Sequence, residues 1–167
     1  NKIKPMSNAE LRALGDPGAV LLMHPSGLAN EAEEMLWGAI AAITARRAAH
    51  GKGVLWIDPN HDPGREALIE GILTSLWPDG CTRIAHLPRE RFVALLKAVA
   101  RSGSGHGHAG ALVGNSSAGL IEAAATGVRV YDLGPRQRGR ESHANVRRLE
   151  RAADATVFWK LVDQTRS

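Results

Sequence analysis

Apolar and polar positions follow two rhythms along this chain. Short runs that are apolar throughout occur at Val20-Leu21-Leu22-Met23, Val54-Leu55-Trp56-Ile57 and Ala111-Leu112-Val113, and Val128 to Leu133 also reads as a strand. Strands without polar alternation are those buried on both faces. Longer segments between them repeat apolar residues at helical spacing. Leu36, Ile40 and Ile43 follow an Asn30 cap, with Glu33 three residues on as in a capping box, and the pattern stops at Gly51. Ala67, Leu68, Ile72 and Leu76 predict a second helix, and Phe92, Leu95, Leu96 and Val99 a third. A short helix is expected over Leu120 to Thr126, ending at Gly127. Arg83 to Leu87 reads weakly as a further strand, and Asp154 to Phe158 as a last short strand before a terminal helix. Strands alternating with helices make βαβ units, which predicts an α/β sandwich around a parallel sheet. Residues 1–17 read as an N-terminal lead-in and 18–167 as one domain.

Ligands of such sheets bind beyond the carboxyl ends of the strands. The unusual polar and glycine-rich chemistry of this chain falls there: His24-Pro25, Asp58-Pro59-Asn60, Gly114-Asn115-Ser116-Ser117 and Gly134-Pro135-Arg136. Four such strand ends together say more than any one of them.

Composition narrows the classes. With 167 residues, 44% hydrophobic and 23% charged, the chain has the make-up of one globular domain. Its apolar runs are well short of the ~20 residues of a membrane span. The start, Asn1-Lys2-Ile3-Lys4-Pro5, has no apolar segment behind its lysines and no initiator Met, so the expectation is an excised piece without a signal peptide. Cys81 is the single cysteine. A reducing cytoplasm is the simplest setting, and a partly buried small residue is its simplest role. The net charge of +4 suggests an anionic partner. Arg136, Arg138, Arg140, Arg147, Arg148 and Arg151 concentrate that charge late in the chain, either as a solvated basic surface or as phosphate ligands.

The run Gly114-Asn115-Ser116-Ser117-Ala118-Gly119 follows a strand and opens a helix. Free N–H groups and a partial positive charge at a helix start favour phosphate, and two serine hydroxyls add donors. Ser and Asn also make good caps, so an ordinary capped turn explains the same residues. Neither a Walker loop nor a G-x-G-x-x-G fingerprint is present. Glu122, five residues after Ser117, is placed either to accept from ribose hydroxyls or to face solvent. The arginines of Gly134 to Arg140 could clamp a diphosphate or lie on a basic surface. His24 could donate to a phosphate oxygen or act as an acid, or be structural. Asp58 to Gly64 is explained as a turn cluster, though its carboxylates could reach a substrate. His61 with Asp62, or His106 with His108, lack further ligands at metal-binding spacing. Residues 102–110 read as a glycine-rich loop.

Leu112 to Val146, L-V-G-N-S-S-A-G-L-I-E-A-A-A-T-G-V-R-V-Y-D-L-G-P-R-Q-R-G-R-E-S-H-A-N-V, resembles the UDP-N-acetylglucosamine 2-epimerase family, and its hydrolysing, sialic-acid-pathway branch in particular. Three shorter pieces stand in the family's order: H-P at His24, P-N-H-D-P-G from Pro59 to Gly64, and H-L-P-x-x-x-F from His86 to Phe92. The pieces span most of residues 18–150. G-N-S-S-x-G-x-x-E with G-x-R-Q-x-G-R is the specific part. Pro63, Ser26-Gly27 and the loop over 102–110 depart from the family's pattern.

The resemblance implies a Rossmann-like three-layer sandwich, one half of a glycosyltransferase-B-type fold whose active site lies between two such halves. This chain is similar to the C-terminal, nucleotide-binding half. By that resemblance Ser116 and Ser117 hold the diphosphate, Glu122 binds the ribose and Arg136 contacts the phosphates. His24, as candidate catalytic residue, and Asn60, with Asp62 near it, line the cleft. Leu87 packs near the uracil. The implied ligand is a UDP-sugar, with no cofactor, no metal, no nucleic acid and no membrane, and with a homodimer as one form open to the full-length protein. The implied reaction is elimination of UDP followed by hydration with inversion at C2, giving an N-acetylmannosamine-type sugar. The proton-moving residues belong to the family's other half, so this chain alone is expected to bind weakly or not at all and not to turn over. A glycosyltransferase donor-binding half is the alternative. A basic nucleic-acid-binding module is a weaker one, since aromatics are only 4% of the chain and leave few stacking platforms.

Overall fold

The computed structural model describes residues 2–27, 30–76, 79–101, 110–135 and 144–164. In chain order these form α1 (Asn8–Ala13), β1 (Pro17–Leu22), α2 (Glu31–Ala49), β2 (Gly53–Ile57), α3 (Arg65–Leu76), β3 (Cys81–Ile84), α4 (Arg89–Arg101), β4 (Ala111–Gly114), α5 (Ser117–Thr126), β5 (Arg129–Leu133), β6 (Val146–Leu149) and, after a single 3₁₀ turn, α6 (Ala155–Gln164). The six strands lie in the order β3-β2-β1-β4-β5-β6. Every pairing is parallel. This is the α/β sandwich around a parallel sheet that the apolar runs predict, with the Rossmann-like form that the resemblance implies. It reverses direction between β1 and β4, the point at which such sheets bind ligands.

Each sheet face carries its own core. The first packs Ala19, Leu21, Trp56, Val113 and Tyr131 under Trp37, Ile40, Ala41, Ala45, Leu68 and Ile72 of α2 and α3 and Phe158 and Val162 of α6. The second packs Val20, Leu55, Leu112 and Val130 under Phe92, Leu95, Leu96 and Val99 of α4 and Ala123 of α5. Adjacent strand residues alternate between the two cores, as the two-residue repeat of a strand requires.

The first face closes at very short range. A Cβ at Gly71 of α3 would coincide with the Met35 carbonyl of α2, and one at Gly38 would meet the Leu68 carbonyl. Only hydrogen at both places lets the two backbones approach this closely.

Four expectations need correction. Asp154 to Phe158 is not a strand: the last strand is Val146–Leu149, and Ala155 onward is α6. The third strand is Cys81–Ile84, two residues ahead of the Arg83 to Leu87 reading. α5 begins at Ser117, earlier than Leu120. The buried stripe of α2 is Trp37, Ile40, Ala41, Thr44, Ala45 and Ala48, while Leu36 is 49% exposed. The capping box at α2 is made by half: the Asn30 side chain accepts from the Glu33 N–H, and His50 in a left-handed conformation ends the helix ahead of Gly51. Among the described residues no helix is long and apolar enough to cross a membrane.

Candidate functional site

The sheet reversal separates β1 from β4 at their carboxyl ends, and Asn115 spans the gap. It is fully buried. Its Oδ1 accepts from the His24 N–H at 2.8 Å, and its Nδ2 donates to the His24 carbonyl at 2.9 Å and the Ser26 hydroxyl at 3.2 Å. A side-chain amide thus pairs with both backbone groups of one residue, as a strand neighbour would. Gly114, just before it, crosses so near β1 that a Cβ would overlap the Leu22 carbonyl. Glycine is what allows β4 to turn out of the sheet there.

His24 carries the network to the next strand. Its Nδ1 accepts the Asn60 N–H at 3.0 Å. In neutral imidazole the proton is then on Nε2. Asn60 in turn accepts the Asp62 N–H on Oδ1 at 3.3 Å, and the Asp62 residue itself lies exposed. Glu34, buried in the first turn of α2, accepts the Ser26 N–H at 2.9 Å and packs against Gly64. The loops after β1 and β2 are therefore held by backbone hydrogen bonds to buried polar side chains.

On the other side of the reversal, Ser116 caps α5 by accepting the Gly119 N–H at 3.3 Å. Ser117 is the first helical residue and is half-buried. Its N–H and that of residue 118 precede the helix's first internal bond, so the dipole end and these donors face the strand-end rim. Glu122 lies one and a half turns along. It is 9% exposed, hence not a solvent-facing residue, and its Oε1 accepts from Arg89 at the start of α4. Leu87, between β3 and α4, is partly buried against the second core. A small cavity opens over the second face beside Gly114, Ser116 and Leu120.

The structure thus brings His24, Asn60, Ser116 and Ser117 to the carboxyl edge of the sheet, with Leu87 at the end of β3 and Glu122 on α5. Arg136 lies outside the described residues. So do Arg138, Arg140, His106 and His108. The described arginines of the late basic cluster are occupied: Arg148 faces Asp132, Arg151 pairs with Asp154, and Arg147 donates to the Ala144 and Val146 carbonyls. Asp58 accepts from Arg83 at 2.6 Å and lies 3.8 Å from Arg65, in an ion cluster whose Arg83 also stacks on Trp56. That accounts for Asp58 by the turn and its salt bridges.

Asn115, Glu34 and Arg89 are the contributors that sequence reasoning missed. Asn115 stood inside a recognised motif but showed no role, because its partners are 91 residues away. Asp132 is a further buried acid, 2% exposed, one strand position before Leu133. Burial pushes its carboxyl up to about 6 against the pull of Arg148. Burial also raises the half-buried Cys81 thiol, which leaves it in its protonated, unreactive form.

No family model matches the chain. Over 90 residues it is 36% identical to the UDP-N-acetylglucosamine 2-epimerase of Neisseria meningitidis serogroup B. That stretch is 54% of this chain and 21% of the relative, so the chain spans a minor part of the protein it matches. The similarity is distant and partial, and it relates the chain to an epimerase.

Proposed function

We propose that this chain is the UDP-binding half of a UDP-N-acetylglucosamine 2-epimerase of the hydrolysing, sialic-acid-pathway kind. The observation that carries the reading is the Asn115–His24–Asn60 network across the sheet reversal, with the serine-capped start of α5 beside it. The partial likeness to the meningococcal epimerase supports it.

In this reading the diphosphate sits on the N-terminus of α5. The donors of Ser116 and Ser117 and the positive end of the helix meet negative charge that grows as the sugar–oxygen bond breaks, so they favour departure of UDP. His24 offers its Nε2 proton to the diphosphate from the β1 side, and Asn60 fixes that tautomer from behind. Arg136 adds a cation to the phosphates. Glu122 takes the ribose hydroxyls and Leu87 backs the uracil. Loss of the C2 proton with UDP leaves an unsaturated sugar. Addition of water to it, with C2 inverted, gives the N-acetylmannosamine-type product. The groups that move the C2 proton belong to a second domain across the cleft. The 167 residues by themselves would then bind UDP weakly and without turnover.

Calorimetry tests this directly. UDP should bind the unaltered chain, and Ser117→Ala and Arg136→Ala should each weaken it roughly tenfold or more, the worth of a charge-assisted hydrogen bond. UDP binding that is indifferent to both changes removes the site from this edge of the sheet.

A further inference from the structure

The pairing of Arg89 with Glu122 is lopsided. Arg89 Nε and Nη2 both reach the same carboxylate oxygen, Oε1, each at 2.8 Å. A guanidinium fork meeting a carboxylate commonly gives each nitrogen an oxygen of its own. Here the fork closes on one oxygen, and Oε2 receives no bond from it. Exposure is equally one-sided: the Glu122 side chain is 12% exposed and that of Arg89 is 76%. The acid is set in the protein wall, and the arginine lies over it from the solvent side.

Such an arrangement fixes a direction. A glutamate has three rotatable bonds, and losing that freedom weakens any contact it makes. Arg89 holds the carboxylate by one oxygen and leaves the other with lone pairs for two neighbouring donors, the valence a vicinal diol needs. Placement agrees with this. Glu122 lies about 7.5 Å along α5 from Ser117, by the rise of an α-helix. Leu87 precedes Arg89 by two residues, so a nucleotide running from the start of α5 toward Leu87 passes the pair.

We infer that Arg89 is a positioning residue for ribose recognition, holding Glu122 so that Oε2 accepts from the 2′- and 3′-hydroxyls of a ribonucleotide. This rests on the nucleotide reading above and adds to it a residue that does not touch the ligand. Because Arg89 is on the surface, Arg89→Ala leaves both cores intact. The removed charge weakens all nucleoside diphosphates alike, so the quantity to follow is a ratio.

The test is titration of the 167-residue chain and of Arg89→Ala with UDP and with 2′,3′-dideoxy-UDP. The unaltered chain should prefer UDP by about tenfold or more, since the dideoxy compound lacks the bonds to an ionised carboxylate. Arg89→Ala should shrink that preference at least about threefold. A preference of the same size in the variant overturns the inference and leaves the diphosphate site standing. Equal binding of both nucleotides by the unaltered chain removes the ribose role of Glu122 and the inference with it. Binding of neither overturns the nucleotide reading itself.

Discussion

The two faces of the sheet are built on different principles. Under α2, α3 and α6, closeness comes from the backbone: Gly71 and Gly38 let α2 and α3 touch main chain to main chain, and alanines 41, 45 and 48 fill the space beneath. Under α4 and α5, closeness comes from branched and aromatic side chains, and the helices keep polar groups at their starts, Ser116, Ser117 and Arg89, with Glu122 further along α5. Among the described residues the first face is closed main chain to main chain where α2 meets α3. The second holds a buried acid, Asp132, an arginine-paired glutamate and a small cavity beside the α5 cap. Under the proposed reading, stability and binding are largely assigned to opposite sides of one sheet, and changes on each side should report on one property more than the other.

The strongest test of that division is Gly71→Ala. The new methyl meets main chain rather than a side chain that can turn away, so about 3 kcal/mol of stability should be lost in urea denaturation, the upper part of the range for overpacking. A cost below about 1 kcal/mol would show that the α2–α3 crossing can open, and the contrast between the faces would weaken.

Next in size is Asp132. Its folded value of about 6 lies above its ordinary 3.8, so the protonated form suits the fold. The stability this gives is fully present below about pH 4 and is lost as pH rises through about 6, a change on the order of 2 kcal/mol. Asp132→Asn should remove that component. Subtracting the variant's stability from the parent's at each pH should give a value that falls between pH 4 and 7. A flat difference would mean that Arg148 keeps Asp132 charged throughout.

Ser116→Ala should be milder, about 1 kcal/mol for a lost N-cap, while UDP affinity falls with it. Stability lost with UDP binding untouched would separate cap from ligand site. Smallest is Arg47→Ala on the first face. Its ion pair with Asp163 is two-fifths exposed at each end, and its cation–π contact with Trp159 lies at 5.3 Å. The loss should be about 0.5–1 kcal/mol, reduced further in high salt.

Much of the fold was legible because its information is local. Runs such as Val54 to Ile57 are apolar from end to end, and only strands covered on both sides can afford that. The missed strand, Val146-Arg147-Arg148-Leu149, puts two arginines in the sheet at its edge. Arg148 is acceptable there only because Asp132 stands opposite it in register, 16 residues back and invisible to any local pattern. α2 misled in the opposite sense. Its larger residues, Leu36 among them, carry the helical spacing, whereas the face pressed against α3 has to be small. At the site, Gly114 to Ser117 could be read because cap, turn and helix are contiguous. The likeness of the late arginines to phosphate ligands could not distinguish Arg148 and Arg151, whose partners are acids of the same chain, from Arg136.

The Asn115–His24 bonds also have a meaning for how the chain reaches its final form. They join residues 91 positions apart, just beyond the ends of strands that are spatial neighbours but have β2, β3 and three helices between them in sequence. Closing so long a loop has an entropic cost that falls on whatever forms last. A partly assembled chain with β1 and β2 but without β4 has the histidine and its Asn60 partner but lacks the Asn115 amide that holds the His24 backbone. Capacity for nucleotide should therefore emerge only in the concluding step of refolding. Bound UDP should then slow exchange of the most protected amides as well as those at the rim, since a ligand that recognises only the finished sheet restrains every opening that undoes it.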